Sequence, residues 1–516
     1  MGLAWRRSRD WIADSGRLLT GLLSLNFRKT LFRLAPKKFG CPCQNPSDSG
    51  KAWQTSCDAV GSWTSAQRFR QLCPLLKKSP AGVWVCSVDT AQVRPFWGRA
   101  LGVLAGGTAG LYAAAALAVF LFLHSFIGYP VHYRSVAWPP AWHQIRQARA
   151  QFFFEKAEHS FHANLPIEGI MWLSQSYELD PGNYTAGRIL AQLWQNTEAE
   201  VSDRVYRQLL RDHPAERAAT AQAWFVALLA RGDFATLAAL AWDELHDQPA
   251  QSSVWANALL FSSRRTGDTH YLEQAVATPA GLPPYATVLC RWELQIRGAP
   301  PAVIRTVLTQ PIPAKSRPYV FYYRVERLLH ANLAQEALQE LSRCRDMLDP
   351  SDRLSLYLDA YAAAGWQNIL DGQVDKLLAT QAGSVVLVEV LSGHLIRHPN
   401  PAILAKLFTS VAQHPLTGSD SEKLTAFACL FCAAGTAGDW ARQDAIAAAI
   451  KAFTGTRYKA LDGVESYFRR DTPGLPIEHY LPAMPPLPVD VTLALFEFSD
   501  RRRALAAAPR THAAAP

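Results

Sequence analysis

The chain has 516 residues, of which 49% are hydrophobic and 18% are charged. That length exceeds one ordinary domain and that hydrophobic fraction is typical of folded proteins, so a single small domain and a largely unfolded chain are both excluded. The net charge of +9 is uneven: residues 1–99 hold 16 Lys and Arg against 5 Asp and no Glu, whereas the remaining residues hold 36 basic against 38 acidic side chains.

Residues 1–36 form a basic segment in which Trp, Leu, Ile and Phe are interspersed with Arg and Lys. This composition is typical of an amphipathic helix on an anionic membrane surface. A signal peptide is the alternative, since residues 18–27 form a short apolar run. No small-residue cleavage site follows that run, however, and Arg28 and Lys29 come next.

Residues 37–97 form a Cys-rich region with little periodicity. It contains five of the nine cysteines, Cys41, Cys43, Cys57, Cys73 and Cys86. Clustered thiols in a reducing compartment bind metal more often than they form disulfides, so these five are candidate zinc ligands. Buried free thiols remain the alternative, because a zinc ribbon has two Cys-x-x-Cys knuckles and this region has one Cys-x-Cys pair.

The stretch 98–128 is predicted to be a transmembrane helix. No Lys, Arg, Asp or Glu occurs between Arg99 and Arg134, and about 20 apolar residues suffice to cross the hydrocarbon core. Basic residues close to a span stay on the cytoplasmic side, and Lys78 and Arg94 precede this one. The sequence predicts a single-pass protein of the cell membrane with a cytoplasmic N-terminus and an external C-terminal part, which is periplasmic in a bacterium.

Four glycines recur at every fourth residue of this helix: Gly98, Gly102, Gly106 and Gly110. Small residues at that spacing share one helix face and let a second backbone approach closely. They are candidate packing residues for a homodimer formed through the transmembrane helix. The alternative is that they reflect the high Gly content of membrane helices in general.

From residue 140 to residue 455 the sequence indicates helical hairpins. Segments of helix length, rich in Ala and Leu, are separated by short Pro, Gly and Asp turns. Prolines end successive segments with a period of about 34 residues: Pro181, Pro214, Pro249, Pro279, Pro311, Pro350 and Pro415. Gly-Asp turns at 231–234, 266–269 and 437–440 mark a second series of turns.

The stretch 153–181 resembles a tetratricopeptide repeat. The residues that fit the family positions are Phe153, Ala157, Gly169, Leu173, Ser176 and the closing Leu179, Asp180 and Pro181. Lys156 and Ser160 depart from the pattern. The next unit follows with Leu190, Ala191, Trp194, Ser202, Tyr206 and Pro214. The resemblance covers residues 142–455, and it implies an α-solenoid whose stacked hairpins bind proteins or peptides.

Residues 456–516 form a Pro-rich closing segment and tail. Six prolines between residues 473 and 488 prevent a long helix there. Residues 489–498 favour one short closing helix, and the three arginines at 501–503 with the Ala/Pro end suggest a frayed tail. The predicted fold class is therefore all-α: an α-solenoid of TPR-like hairpins preceded by one transmembrane helix and a small Cys-rich region.

The sequence contains no phosphate-binding loop, dinucleotide fingerprint, metalloprotease motif or serine nucleophile motif. Cys429 and Cys432 have redox spacing, but they lie in an Ala-rich helical segment, which favours core thiols. We therefore assign no catalytic residue and expect no enzyme activity.

Two functions remain open. The first is a membrane-anchored helical-repeat scaffold that binds proteins or peptides, with an envelope assembly as one setting. The second is a membrane protein whose cytoplasmic zinc-binding head is sensory or binds nucleic acid. Nucleic acid is not expected as a partner, because no recognised nucleic-acid-binding motif accompanies the basic residues.

Overall fold

A computed structural model describes residues 97–247, 251–312, 318–455, 459–470 and 474–507, with shorter pieces between residues 20 and 38 and between residues 76 and 86. These residues are helical apart from turns and one antiparallel hairpin, in which β1 Leu76–Lys78 pairs with β2 Trp84–Cys86. The predicted all-α class is confirmed for this part of the chain. Two compact units result, residues 1–165 with 178–180, and residues 166–177 with 181–516.

The boundary between the units falls inside the region predicted as repeats from residue 140. In the first unit residues 26–34 are helical, and the helices that follow are α1 Trp97–Leu121, continued by a π-helical turn at Phe122–Ile127, α2 Tyr133–Ala137 and α3 His143–His162. The remaining helices are α4 Pro166–Leu179, α5 Tyr184–Trp194, α6 Ala199–Asp212, α7 Arg217–Arg231, α8 Phe234–Asp247, α9 Ser252–Thr266, α10 His270–Ala277, α11 Pro284–Ile296, α12 Pro301–Leu308, α13 Pro318–His330, α14 Ala334–Arg343, α15 Pro350–Ala363, α16 Gln367–Thr380, α17 Val385–Arg397, α18 Pro401–Gln413, α19 Asp420–Thr436, α20 Trp440–Thr454, α21 Lys459–Arg469 and α22 Val489–Ala507.

The apolar stretch of the sequence forms one long helix. Within the described residues, Leu104–Ile127 is the one candidate span, a helix long and apolar enough to cross a membrane. Only 6% of its apolar window is buried inside the structure, whereas the core helix of a soluble protein is mostly buried. The large side chains along it are accordingly exposed, among them Leu111, Phe122 and Phe126.

The chain turns back after this helix. Gly128 ends it with a φ of 89°, a left-handed conformation that glycine adopts without strain. Tyr112 Oη then donates to the carbonyl of Ala137 at 2.9 Å, and Tyr133 Oη donates to the carbonyl of Ala113 at 3.3 Å. The segment that follows contains α2 and returns alongside α1.

The glycine row of α1 faces open space. A Cβ placed on Gly98, Gly102, Gly106 or Gly110 meets no described atom within 4 Å. The fold-back of residues 129–137 therefore leaves this face of the helix uncovered. The homodimer contact predicted from the sequence stays a prediction, and the geometry leaves room for it.

We expect Gly106→Ile to weaken self-association in a membrane, because a branched side chain separates backbones that would otherwise touch. Gly107→Ile is the matched control, since Gly107 lies about 100° further round the helix and is equally open. A membrane two-hybrid assay should lose signal for Gly106→Ile and keep it for Gly107→Ile. Equal signals from the two variants would show that the row is not a dimer face.

Gly-Asp dipeptides separate helices of the second unit at the turns that the sequence predicts. The three glycines have positive φ angles, 68° at Gly232, 81° at Gly267 and 71° at Gly438. The aspartate that follows caps the next helix: Asp233 accepts from the Thr236 amide and Asp439 accepts from the Arg442 amide, each at 3.1 Å. One dipeptide thus ends a helix and begins the next.

The helices of the second unit contact their neighbours in a regular order. From α5 to α16 each helix contacts the next one in the chain. Contacts between second neighbours join α9 to α11, α13 to α15, α15 to α17, α16 to α18, α17 to α19 and α19 to α21. Most of the residues that carry the family resemblance are buried, namely Phe153, Ala157, Gly169, Leu173, Ser176, Leu190, Ala191, Ser202 and Tyr206.

The closing helix α22 is longer and more deeply buried than the sequence suggests. Residues 489–499 include no exposed side chain, and the helix contacts α7, α17 and α19. Phe496 packs edge-to-face on Phe234 with ring centroids 5.5 Å apart. The frayed tail expected from residue 501 is instead helical to Ala507, because Arg502 donates to the carbonyl of Tyr467 at 2.6 Å.

Phe496→Ala should lower the free energy of unfolding by about 3–5 kcal/mol, since it removes a fully buried aromatic ring. Leu505→Ala lies on the same helix at a residue that is 79% exposed, and it should change stability by less than about 0.5 kcal/mol. Thermal unfolding of the detergent-solubilised chain measures both. A similar loss in the two variants would contradict the central position of α22.

Candidate functional site

A cavity of about 730 Å³ lies between α22 and the helices α9, α13, α15 and α17. Its lining carries charges of both signs, including Arg264, Glu326, Arg327, Asp359, Arg397 and Asp490. Charged side chains are rarely grouped inside a helical core unless they are paired or bind something. This charged cavity is therefore the candidate functional site.

Arg265 fixes the α22 wall of the charged cavity. Its guanidinium lies over two aromatic rings, 5.3 Å from the centroid of Phe234 and 5.5 Å from that of Phe496. It also forms an ion pair with Asp500. One side chain of α9 therefore holds α22 through a cation–π contact and through charge at the same time.

Arg264 and Glu326 form an ion pair on the opposite wall, with Nη1 and Oε2 3.4 Å apart. Burial alone would raise the pKa of Glu326, but Arg264 and His330 lower it more, so that the net shift is downward. Burial likewise opposes the charge of Arg264, whose pKa is nevertheless raised by Glu326. Both groups stay charged at neutral pH.

The third wall holds a cluster of Asp359, His394 and His398. His394 Nδ1 lies 2.7 Å from Asp359 Oδ1, and His398 Nε2 lies 3.9 Å from the same oxygen. The other carboxylate oxygen, Oδ2, is 2.9 Å from Nε of Arg397. The two histidines are four residues apart on or just after α17, so they share one helix face, and Asp359 reaches them from α15.

The surroundings fix the charges of this cluster. Burial alone would raise the pKa of Asp359, but Arg397 and His394 lower it by more. The net result is a pKa of about 2, below the ordinary value of 3.8. The pKa of His398 falls to about 4, because burial disfavours its imidazolium form more than Asp359 favours it. At neutral pH Asp359 is an anion and His398 is a neutral imidazole.

Two carboxyl groups near the base of α22 have the opposite shift. Burial raises the pKa of Asp490, and Arg397 offsets only part of this effect. The pKa of Asp352 rises to about 6, first through burial and then through the charge of Asp490. The negative charges of these two groups, one on α15 and one on α22, therefore repel each other.

Asp352→Asn should stabilise the protein at neutral pH by about 1–2 kcal/mol, allowing for solvent screening of a partly exposed group. Because the folded-state pKa of about 6 exceeds the ordinary 3.8, the charge penalty is complete above 6 and vanishes as the pH falls toward 3.8. Melting temperatures against pH measure this difference. Asp346→Asn, at an exposed residue nearby, is the control. A gain that persists at the acid end, or that Asp346→Asn reproduces, would refute this account.

The structure leaves the predicted zinc ligands untested. Cys41, Cys43, Cys57 and Cys73 lie outside the described residues, and for Cys86 only the backbone is described, in β2. The zinc prediction for this region stays a prediction. The other cysteine pair is described: Cys429 and Cys432 are fully buried free thiols of α19, and burial raises the pKa of Cys432 to about 12.

Sequence reasoning did not find the cluster on α15 and α17. One local signal was available, since His394 and His398 have the spacing of two ligands on a helix. Asp359 could not be added, because it lies 35 residues before His394 and reaches it only through packing of the two helices. The chain matches no family model, no curated protein and no solved structure.

Proposed function

We propose that this is a single-pass membrane protein whose helical unit, on the external side, binds segments of other proteins at the charged cavity. The observation that carries the proposal is the cavity itself. The helices around the cavity hold α22, a helix of this chain, through aromatic packing and ion pairs. A cavity of about 730 Å³ remains beside that helix. Binding rather than catalysis is the role proposed for it.

The anchor in this proposal is the helix Leu104–Ile127. Its length, its exposed apolar side chains and the lack of charge support a bilayer as its surroundings. The excess of Lys and Arg in residues 1–99 supports a cytoplasmic N-terminus.

The repeat character is the second part of the proposal. Helices that contact both their next and their second-next neighbours are expected of stacked hairpins, in which each repeat covers the apolar face of the one before. The family positions of the first two repeats are buried, which supports the same interpretation. We therefore propose a TPR-like solenoid for residues 140–455.

The charges of the cavity favour a charged peptide segment as the occupant. Arg501 of α22 is exposed at the cavity and Glu497 lies one turn before it, while His330 is exposed on the α13 side. Polar rims of this kind provide specificity and orientation, whereas the affinity comes from the few apolar contacts beneath them. Leu356 and Leu493 supply apolar surface inside the same cavity.

A cysteine at His330, carrying a photo-crosslinker that cannot cross membranes, tests orientation and binding together. We expect labelling from the external side and a discrete crosslinked partner after irradiation. The described native cysteines are buried and should not react. Cysteines of residues 1–99 should be protected on the cytoplasmic side.

Asp420→Cys is the matched control, because Asp420 is 85% exposed and does not line the cavity. It should be labelled equally well but give no discrete partner. Labelling of the N-terminal cysteines in place of Cys introduced at His330 would reverse the orientation. The same crosslinks from both positions would show that the cavity is not the binding surface.

A further inference from the structure

Three side chains of the charged cavity are metal-ligating types placed together. One ligand atom from each of Asp359, His394 and His398 lies within 4.8 Å of the other two. Two of these separations are direct measurements from Asp359 Oδ1, 2.7 Å to His394 Nδ1 and 3.9 Å to His398 Nε2. Within the described part of the chain this is the one such cluster.

The positions of the three residues favour a shared ion over a chance meeting. Histidines four residues apart on a helix present their imidazoles on one face, which is the spacing of the paired ligands in helical zinc sites. The carboxylate comes from a neighbouring helix, α15, which packs on α17. Side chains from two packed helices form a more rigid site than side chains from loops.

Burial adds an independent observation. The His394 side chain is fully buried, and its Nε2 has no hydrogen-bond partner among the described residues. Burial restricts the ring, so that Nδ1 is held beside Asp359 Oδ1. The cluster opens to the cavity on one side, because Asp359 and His398 line the cavity whereas the buried His394 does not.

We propose that Asp359, His394 and His398 bind one divalent transition-metal cation of the zinc class, with the open coordination position facing the charged cavity. Two imidazole nitrogens and one carboxylate oxygen are the donor set that zinc and its neighbours prefer over magnesium or calcium. The fourth position takes water or a carboxylate of a bound segment. This site is separate from the cysteine cluster of residues 37–97.

The geometry needs only small movements. In a tetrahedral zinc site with bonds near 2.0–2.1 Å, ligand atoms lie about 3.3 Å apart. The measured separation from Asp359 Oδ1 to His394 Nδ1 is shorter than this, and the separation to His398 Nε2 is longer. Rotation of the partly exposed His398 side chain, which ends just beyond α17, closes most of the difference.

Arg397 sets the mode of binding. It occupies Oδ2 of Asp359, which leaves Oδ1 for the cation, so the carboxylate binds through a single oxygen. Its positive charge opposes the cation, but Asp490 lies close enough to Arg397 to offset part of that charge. The ion pair with Arg397 also orients the carboxylate, as supporting residues do in metal sites.

Titration of the full detergent-solubilised chain with Co²⁺ tests the proposal. Cobalt bound to nitrogen and oxygen gives visible bands, whereas cobalt bound to thiolate adds strong charge-transfer bands in the near ultraviolet. We expect the spectrum of the wild type minus that of His398→Gln to show visible bands without thiolate bands. The affinity should fall by more than the about 10–100-fold that loss of a supporting partner costs.

His330→Gln is the matched control, since His330 lines the same cavity but does not belong to the cluster. It should bind Co²⁺ like the wild type, and Zn²⁺ should displace the cobalt from both. Wild-type protein with alkylated accessible cysteines should keep the visible bands, a measurement that does not depend on any variant folding. A wild type without these bands, a difference spectrum with thiolate character, or unchanged binding by folded His398→Gln would each overturn the proposal.

Discussion

The burial of α22 is the contact on which the second unit depends. Leu495 and Phe496 are fully buried, and each large apolar side chain removed from water contributes about 1.5–3 kcal/mol. The surfaces that cover them come from helices far earlier in the sequence, such as α7 and α17. Without this helix the charged cavity lacks one of its walls, and Arg265 loses its contacts with both Phe496 and Asp500.

Burying the charges of this cavity costs free energy, and the fold tolerates them because most are held in ion pairs. Ion pairs taken out of water seldom stabilise a protein more than apolar side chains of similar size would. Arg264 with Glu326 and Arg397 with Asp359 nonetheless keep four charges among the helices. Raised pKa values at Asp352 and Asp490 show that the balance is incomplete. Such residual strain is typical of functional surfaces rather than of plain cores.

The sequence predicts those parts of the molecule that local chemistry determines. The absence of Lys, Arg, Asp and Glu between Arg99 and Arg134 indicates the long apolar helix, and Gly-Asp dipeptides indicate where helices end. The charged cavity could not be predicted, because it depends on the register between α15 and α17. The length of α22 could not be predicted for the same reason. An arginine run indicates a solvent-exposed tail, but Arg502 donates to the Tyr467 carbonyl, a contact that depends on tertiary packing.

The long sequence separation between α22 and the helices that it covers also governs the order of events during synthesis. Phe234 emerges from the ribosome more than 250 residues before Phe496, which finally covers it. Until then the early helices can pair with their neighbours but cannot complete their core, and contacts this distant in sequence form slowly. The nascent unit therefore carries exposed apolar surface over most of its translation, which is the state that chaperones protect. A chain that stops before residue 489 never leaves that state.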